Sequence, residues 1–154
     1  MRHHLQVSQT VPGAPREVFD FFSRAENLER LTPPELGFHI VTPRPIEMKA
    51  GVLIDYRLRL FGLRFGWRSL ISRWEPPAEF VDVQVKGPYK EWIHRHRFEP
   101  VAGGTRIHDE VQYALPLSPL GDLAYPAVKA QLKRIFGYRH RVIGTLFGTL
   151  DEER

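Results

Sequence analysis

Two histidines at alternating positions of one segment are the residues of this sequence best suited to chemistry. His94 and His96 are flanked by Trp92 and Phe98 at the same two-residue spacing, and Arg95 stands between them. Because side chains alternate between the faces of a β-strand, the four rings are predicted to share one face, and their aromatic character indicates that this face is the inner one. Imidazole titrates near neutral pH and binds metals, so such a pair can transfer protons, orient a ligand or hold an ion.

The segments before and after the histidines supply candidate partners. In the following predicted strand, the same alternation turns Asp109 and Tyr113 inward. In the preceding strand the inward set is either the series at positions 80, 82 and 84 or the valine series at 81, 83 and 85, and we favour the first. The predicted cavity therefore contains a polar strip made of Asp82, Gln84, His94, His96, Asp109 and Tyr113.

Three interpretations of this strip are consistent with the sequence. The simplest is a structural network in which Asp82 and Asp109 orient the histidines, since buried polar groups need hydrogen-bond partners. The second is a site that orients a ligand in a mainly apolar pocket. The third is a metal site, but the spacing fixes no third ligand, so we expect no bound metal and no other cofactor. A histidine–aspartate pair can also act in acid–base catalysis, although no nucleophile is evident.

Arg139 is the second feature that the predicted core must accommodate. On a helical wheel it falls within the apolar stripe that contains Ile135 and Val142. An arginine there can pair with Asp109 or Asp82, bind an anionic group of a ligand, or extend its head towards the end of the helix. We predict that Arg139 points into the cavity.

The elements that must position these residues follow one another in a simple order. An alternating segment at residues 5–9 predicts a first strand, and the apolar spacing after Pro15 predicts two short helices. A short apolar run follows at residues 38–41. Further strands are predicted at residues 51–60, 64–74, 80–86, 89–99 and 105–115, with connections too short for parallel crossovers. A single helical pattern from about residue 120 to 150 closes the chain, which makes the predicted fold class α+β.

Composition predicts one domain that spans residues 1–154. The chain has 42% hydrophobic residues, enough for a core, and no cysteine, which excludes disulfides and thiolate chemistry. No segment approaches the roughly 18 apolar residues of a membrane span and no signal-peptide core is present, so we expect a cytoplasmic protein without integral membrane association. The net charge of +4 comes from scattered basic residues, so we expect no nucleic-acid partner.

Several local strings resemble the SRPBCC superfamily, which includes START lipid-transfer domains, the birch-pollen allergen and polyketide aromatase/cyclases. They include VPGAPREVF at residues 11–19, NLERLTP at 27–33, WEPP at 74–77 and HRHRF at 94–98. Together they are similar to a bacterial subgroup described as polyketide cyclase/dehydrase-like and cell-division-inhibitor-like. The resemblance covers essentially the whole chain.

This resemblance implies a helix-grip fold. In that fold a seven-stranded curved antiparallel sheet surrounds a long C-terminal helix, two short helices follow the first strand, and a cavity lies between sheet and helix. It also implies that residues 32–37 and the turn at 87–89 lie near the mouth of the cavity. It does not imply a reaction, because members of the superfamily include carriers, receptors and enzymes.

The first functional hypothesis is that the protein binds, transports or senses a small hydrophobic molecule that is lipid-like or polyketide-like. Because Arg139 can bind an anionic group, this molecule can also be an anion. A cofactor-independent cyclase, dehydratase or hydrolase that uses a cavity histidine is one alternative. A protein-interaction module with a filled cavity is another. The predicted ligand-binding residues are Tyr56, Trp67, Asp82, Gln84, Trp92, His94, His96, Asp109, Tyr113, Ile135 and Arg139.

Overall fold

An antiparallel sheet of seven strands forms most of the protein in the computed structural model, which describes residues 1–150. The strands are β1 (Arg2–Pro12), β2 (His39–Ile40), β3 (Leu53–Leu60), β4 (Leu63–Glu75), β5 (Glu79–Lys86), β6 (Glu91–Val101) and β7 (Gly104–Ala114). Their order across the sheet is β1-β7-β6-β5-β4-β3-β2. Strands β2 to β7 are therefore each next to their neighbours in the chain, as short connections require.

Within the described residues, three α-helices accompany the sheet: α1 (Pro15–Phe22), α2 (Leu28–Leu31) and α3 (Tyr125–Phe147). Short 3₁₀ turns lie at Ala25–Asn27, Pro34–Leu36 and Leu120–Ala124. This confirms the predicted α+β arrangement of a curved sheet, two short helices after the first strand and a long C-terminal helix. None of the helices described here has the length and hydropathy needed to cross a membrane.

The predicted bounds of two elements differ most from the structure, and they do so at both ends. Strand β1 covers residues 2–12 rather than 5–9, because it pairs with β7 over its full length and not only where apolar and polar residues alternate. The long helix begins at Tyr125, after a 3₁₀ turn, and ends at Phe147, because Gly148 adopts a φ of 88°. The helical pattern at residues 120–150 therefore extends beyond the helix at both ends.

The inner face of the sheet follows the alternation that the sequence shows. In β6, Trp92, His94, His96 and Phe98 are buried while Arg95 is exposed. In β7, Ile107, Asp109, Val111 and Tyr113 are buried. The histidines and Asp109 therefore lie on the face that packs against α3, whose buried side chains include Leu132, Phe136 and Arg139.

Gly104, at the start of β7, is expected to be essential for the pairing of β7 with β1. A Cβ at this position would overlap the main-chain carbonyl oxygen of Val11, and no change of side-chain rotamer relieves a contact with the backbone. We expect Gly104→Ala to lower the free energy of unfolding by at least about 2 kcal/mol in a denaturant titration.

Gly66→Ala is the matched control. Gly66 also lies within a strand, but a Cβ there would meet no atom within 4 Å. The free energy of unfolding of the Gly66→Ala variant should differ from that of the parent protein by less than about 0.5 kcal/mol. Similar effects of the two substitutions would contradict the role assigned to Gly104.

Candidate functional site

A cavity of about 150 Å³ lies between the sheet and α3. Strands β3 to β6 form one wall, and α3 together with the segments around α1 and α2 forms the other. Most of its lining side chains are apolar, among them Phe22, Leu31, Leu36, Phe38, Ile54, Leu58, Leu60, Trp67, Phe80, Trp92, Leu132 and Phe136. This lining suits a small hydrophobic molecule.

Polar side chains from β5 and β6 form one end of the cavity. Two-residue spacing places His94 and His96 side by side, with ring centroids 3.7 Å apart. Asp82 of β5 is registered opposite His94, but its Oδ2 atom lies 2.6 Å from His96 Nε2 and accepts a hydrogen bond from it. Phe80 stacks on the His96 ring at 4.1 Å and so fixes the ring plane.

Asp109 of β7 contacts both histidines through one carboxylate oxygen. Its Oδ1 atom accepts a hydrogen bond from His94 Nε2 at 2.7 Å and lies 3.5 Å from His96 Nδ1. Arg139 of α3 donates from Nη2 to the same oxygen at 3.4 Å, and its guanidinium carbon lies 5.1 Å from the centroid of the Phe22 ring. Arg139 lines the cavity and is only 7% exposed. Asp109 is therefore the partner that an arginine in this apolar stripe requires.

These contacts set the protonation states of the four titratable partners. Burial alone would raise the pKa of Asp109, but the charge of Arg139 and the hydrogen bonds from both histidines outweigh it and hold this pKa well below its ordinary value. Burial alone would lower the pKa of His96, yet its hydrogen bonds to Asp109 and Asp82 raise it. Burial, followed by the charge of His96, lowers the pKa of His94.

These directions favour the protonated form for His96 and the neutral form for His94. For Asp82, burial opposes ionisation, but the hydrogen bond from His96 and the nearby positive charges lower the pKa overall. Two carboxylates then face one imidazolium and one guanidinium, so the charges of the cluster cancel. A buried cluster with balanced charges avoids the cost of an uncompensated ion.

Two acceptor atoms of this cluster have no partner within residues 1–150. His94 donates through Nε2, so its neutral ring presents Nδ1 as an acceptor, and the nearest carboxylate oxygen, Oδ2 of Asp82, is 3.9 Å away. The Oδ1 atom of Asp82 also makes no hydrogen bond in this part of the chain, while Oδ2 is bonded to His96. Both residues line the cavity. The polar end thus offers hydrogen-bond acceptors to a ligand.

A second polar group lines the cavity on β3 and β4. Ser69 Oγ accepts a hydrogen bond from Trp67 Nε1 at 3.2 Å and lies 3.3 Å from the Tyr56 hydroxyl. Burial, and then the negative charge of Asp82, raise the pKa of Tyr56, so the hydroxyl stays protonated. Ser69 was not among the predicted ligand-binding residues, although its two-residue spacing from Trp67 places it on the same face.

Most of the residues predicted for the ligand site line the cavity, namely Tyr56, Trp67, Asp82, Trp92, His94, His96, Ile135 and Arg139. Asp109 lies behind them, as described above. Tyr113 is packed in the wall, 6.2 Å from Trp92 between ring centroids. Gln84 is a correction to the predicted strip, because its side-chain amide donates to the Tyr89 carbonyl and accepts from the Tyr89 amide. Stabilising this turn uses both polar atoms of Gln84.

Sequence reasoning missed how much the segment around α2 contributes to the cavity. Its lining side chains include Leu28, Leu31, Thr32, Leu36 and Phe38. Of these, Thr32 and Leu36 belong to the predicted mouth at residues 32–37. Glu35 in the same segment accepts a hydrogen bond from Arg134 Nε at 2.9 Å, and both side chains are about half exposed. This ion pair ties the segment to α3 at the edge of the cavity.

A metal ion is the remaining possibility for the polar end. Asp82, His94 and His96 offer ligand atoms that all lie within 4.8 Å of one another, so Asp82 is the candidate third ligand that the spacing alone did not reveal. However, Asp82 and His96 are 2.6 Å apart, closer than the more than about 3 Å that separates two ligands of one ion with bonds near 2.1 Å. The charges of the cluster also cancel without a cation. The absence of a bound metal stays our prediction.

Comparison with known proteins places this geometry in context. The sequence profile of the family "Polyketide cyclase / dehydrase and lipid transport" matches residues 11–136. Among curated proteins no sequence matches significantly.

Solved structures with a similar fold include the Zhui aromatase/cyclase from Streptomyces sp. R1128, with a TM-score of 0.74, 14% identity, and coverage of 93% of this chain and 92% of that chain. A START superfamily protein from Mycobacterium smegmatis has a TM-score of 0.69 and 12% identity over 94% and 99% of the two chains. Major latex-like protein 151 from Panax ginseng has a TM-score of 0.65 and 11% identity over 95% and 97%. At such identities the likeness shows the helix-grip fold alone.

The pairing of Arg139 with Asp109 is testable by a double-mutant cycle. Arg139→Met keeps an apolar contact with Phe22 but removes the positive charge beside Asp109. We expect a loss of about 3 kcal/mol in the free energy of unfolding, because the buried charge of Asp109 loses its guanidinium partner. Adding Asp109→Asn removes that charge, so the double variant should recover part of the loss in denaturant unfolding. Purely additive effects would show that the two residues are not coupled.

Proposed function

Because the chain belongs to the family of polyketide cyclases, dehydrases and lipid-transport proteins, we propose that its cavity binds a small hydrophobic molecule that carries a hydroxyl group. The observation that supports this most directly is an apolar cavity that ends in unpartnered acceptor atoms of Asp82 and His94. Pockets of this kind gain affinity from the apolar wall and orientation from a few polar groups.

The size of the cavity favours a ligand with one aromatic ring. A volume of about 150 Å³ is comparable with that of an engineered apolar cavity, in another protein, that binds benzene. A longer lipid or a polyketide with several rings requires the segment that carries Leu36 to move away from α3. Space of this size also argues against the alternative of an interaction module whose cavity is filled by its own side chains.

The polar end favours a neutral hydrogen-bond donor over an anion. The charge of Arg139 already faces Asp109 at 3.4 Å, and an anionic ligand would add a negative charge beside Asp82 to a cluster whose charges cancel. A hydroxyl group can instead donate to Asp82 Oδ1 or His94 Nδ1, and hydrogen bonds to an ionised acceptor are the stronger ones. The anionic ligand considered from the sequence therefore has less support than a phenol or an alcohol.

Phenol, toluene and benzoate distinguish these ligand classes, because each has one ring and they differ in the polar group. We expect phenol to bind about tenfold more tightly than toluene, the effect of a hydrogen bond to a charged group worth about 1.5 kcal/mol. Benzoate should bind more weakly than phenol. Titration calorimetry or ligand-observed NMR measures the three affinities. A preference for benzoate would make Arg139 an anion anchor, and no binding of any ring would reject the proposal.

The matched variants for this experiment are Asp82→Asn and Asp20→Asn. Asp82→Asn replaces the ionised acceptor with a neutral one, so the preference for phenol over toluene should fall severalfold while toluene binding stays. Asp20 is an exposed acid on α1, and its substitution should leave both affinities unchanged. If Asp82→Asn leaves the preference for phenol unaltered, the phenol hydroxyl donates its hydrogen bond to another group of the cavity and not to Asp82.

A second candidate function is catalysis by His94 without a cofactor, as in a cyclase or dehydratase. The observation in its favour is that His94 presents an unbonded Nδ1 to the cavity while Asp109 accepts the proton of Nε2 at 2.7 Å. A neutral imidazole oriented by a carboxylate is the usual arrangement of a general base. Its simplest reaction is removal of a proton from the carbon next to a ketone, with the proton transferred to Nδ1.

Exchange of the methyl protons of acetophenone in D₂O, followed by NMR, tests this candidate. If His94 is a base, the protein should accelerate the exchange, and His94→Gln should remove the acceleration while acetophenone still binds. His108→Gln is the control, because His108 is paired with Glu99 on the outer face of β7, remote from the cavity. No acceleration by the parent protein would leave binding as the only proposed function.

A further inference from the structure

The hairpin that joins β3 to β4 ends in an exposed apolar tip. Phe61 and Gly62 form its two-residue turn, since Leu60 and Leu63 are the last paired residues. Phe61 is 61% exposed and Leu63 is 63% exposed. Apolar side chains that are exposed close together are typical of interaction surfaces.

The backbone at Phe61 is not one that phenylalanine favours. Phe61 has a φ of 53° and Gly62 a φ of 78°, the two positive values of a type I′ turn, for which asparagine followed by glycine is the preferred sequence. A bulky residue with positive φ is uncommon because its Cβ crowds the backbone. The turn itself therefore gives no reason for a phenylalanine at this position.

Three arginines without a carboxylate partner among the described residues lie behind this tip. Arg57, Arg59 and Arg64 are exposed on the outer face of the sheet, and Arg59 lies directly opposite Arg64. Like charges in opposing positions destabilise a sheet. Farther along the same two strands, Asp55 is opposite Arg68 and pairs with it at 2.8 Å. The charges on this face are thus complementary away from the tip and repulsive close to it.

A groove between these arginines is open to an anionic group. Gly66 lies opposite Arg57, and a Cβ at Gly66 would meet no atom within 4 Å. His39 of β2 is opposite Arg57 on the other side. The groove is lined by Gly66 and bordered by Arg57, Arg59, Arg64 and His39. Its chemistry suits a phosphate.

We propose that the β3–β4 hairpin docks the protein on an anionic lipid surface. Phe61 and Leu63 enter the boundary between headgroups and acyl chains, and the arginines behind them bind headgroup phosphates. A nucleic acid would also attract the arginines, but it gives no reason for an exposed Leu63 at the tip. The combination of an apolar tip and a basic groove favours a membrane surface.

The same hairpin also reaches the cavity. Leu58 and Leu60 of β3 line the cavity from the inner face, whereas Arg57 and Arg59 alternate with them on the outer face. Docking through the tip therefore brings one side of the cavity close to the lipid. The proposal does not depend on the class of ligand, because none of its arginines lines the cavity.

Co-sedimentation with vesicles of phosphatidylcholine, with and without phosphatidylglycerol, tests the docking. We expect binding to the anionic vesicles only, and weaker binding as salt is added. The triple variant Arg57→Gln, Arg59→Gln, Arg64→Gln should lower the partition coefficient about a hundredfold, since each arginine near an anionic surface contributes about fivefold. A charge-matched control is Arg16→Gln, Arg24→Gln, Lys49→Gln, all at exposed positions elsewhere, which should lower it far less.

Phe61→Asn separates docking from folding. Asparagine suits the first position of this turn, so the melting temperature should stay the same or rise. The partition coefficient for anionic vesicles should nevertheless fall about tenfold, the loss expected when an inserted aromatic side chain is removed. A stable variant that binds vesicles as tightly as the parent protein would contradict insertion of the tip.

Other outcomes would overturn the proposal as a whole. These are no binding to anionic vesicles, equal binding to neutral ones, or equal weakening by the two triple variants. Binding of duplex DNA in a gel-shift assay at the same salt, without vesicle binding, would assign the arginines to nucleic acid. Binding of inorganic phosphate alone, without vesicle binding, would assign the groove to a free anion.

Discussion

The burial of Arg139 in the apolar stripe of α3 is the constraint on which the interior depends. A guanidinium in that position needs a carboxylate, and β7 supplies Asp109. The same carboxylate accepts from His94 of β6, and the second histidine, His96, links the cluster to Asp82 of β5. One chain of compensating charges therefore joins the helix to three strands, and the protonation of each member depends on the others.

Local periodicity explains how much of this site could be predicted. The inward direction of His94 and His96 follows from a spacing of two, and that of Arg139 from its place on a helical wheel, because both depend only on the geometry of one element. The order of elements and the seven-stranded sheet followed from the turn residues and from the resemblance of the local strings. The apolar cavity wall is a consequence of that order.

Features that depend on contacts between distant segments could not be predicted. Gln84 alternates correctly in β5, but the turn beyond it brings Tyr89 back to its amide. Asp82 is registered with His94 yet bonds to His96, a diagonal contact that no spacing rule gives. The Glu35–Arg134 pair joins residues that are 99 positions apart.

That exposed pair and the buried cluster respond differently to the solution around the protein. The side chains of Glu35 and Arg134 are 52% and 47% exposed, so dissolved ions screen their attraction, with a Debye length of about 8 Å at physiological ionic strength. The side chains of Asp109 and Arg139 are each 8% exposed and are shielded from those ions. Ionic strength therefore acts mainly on the contact that ties the segment around α2 to α3, while the charge pairing inside the buried cluster stays nearly constant.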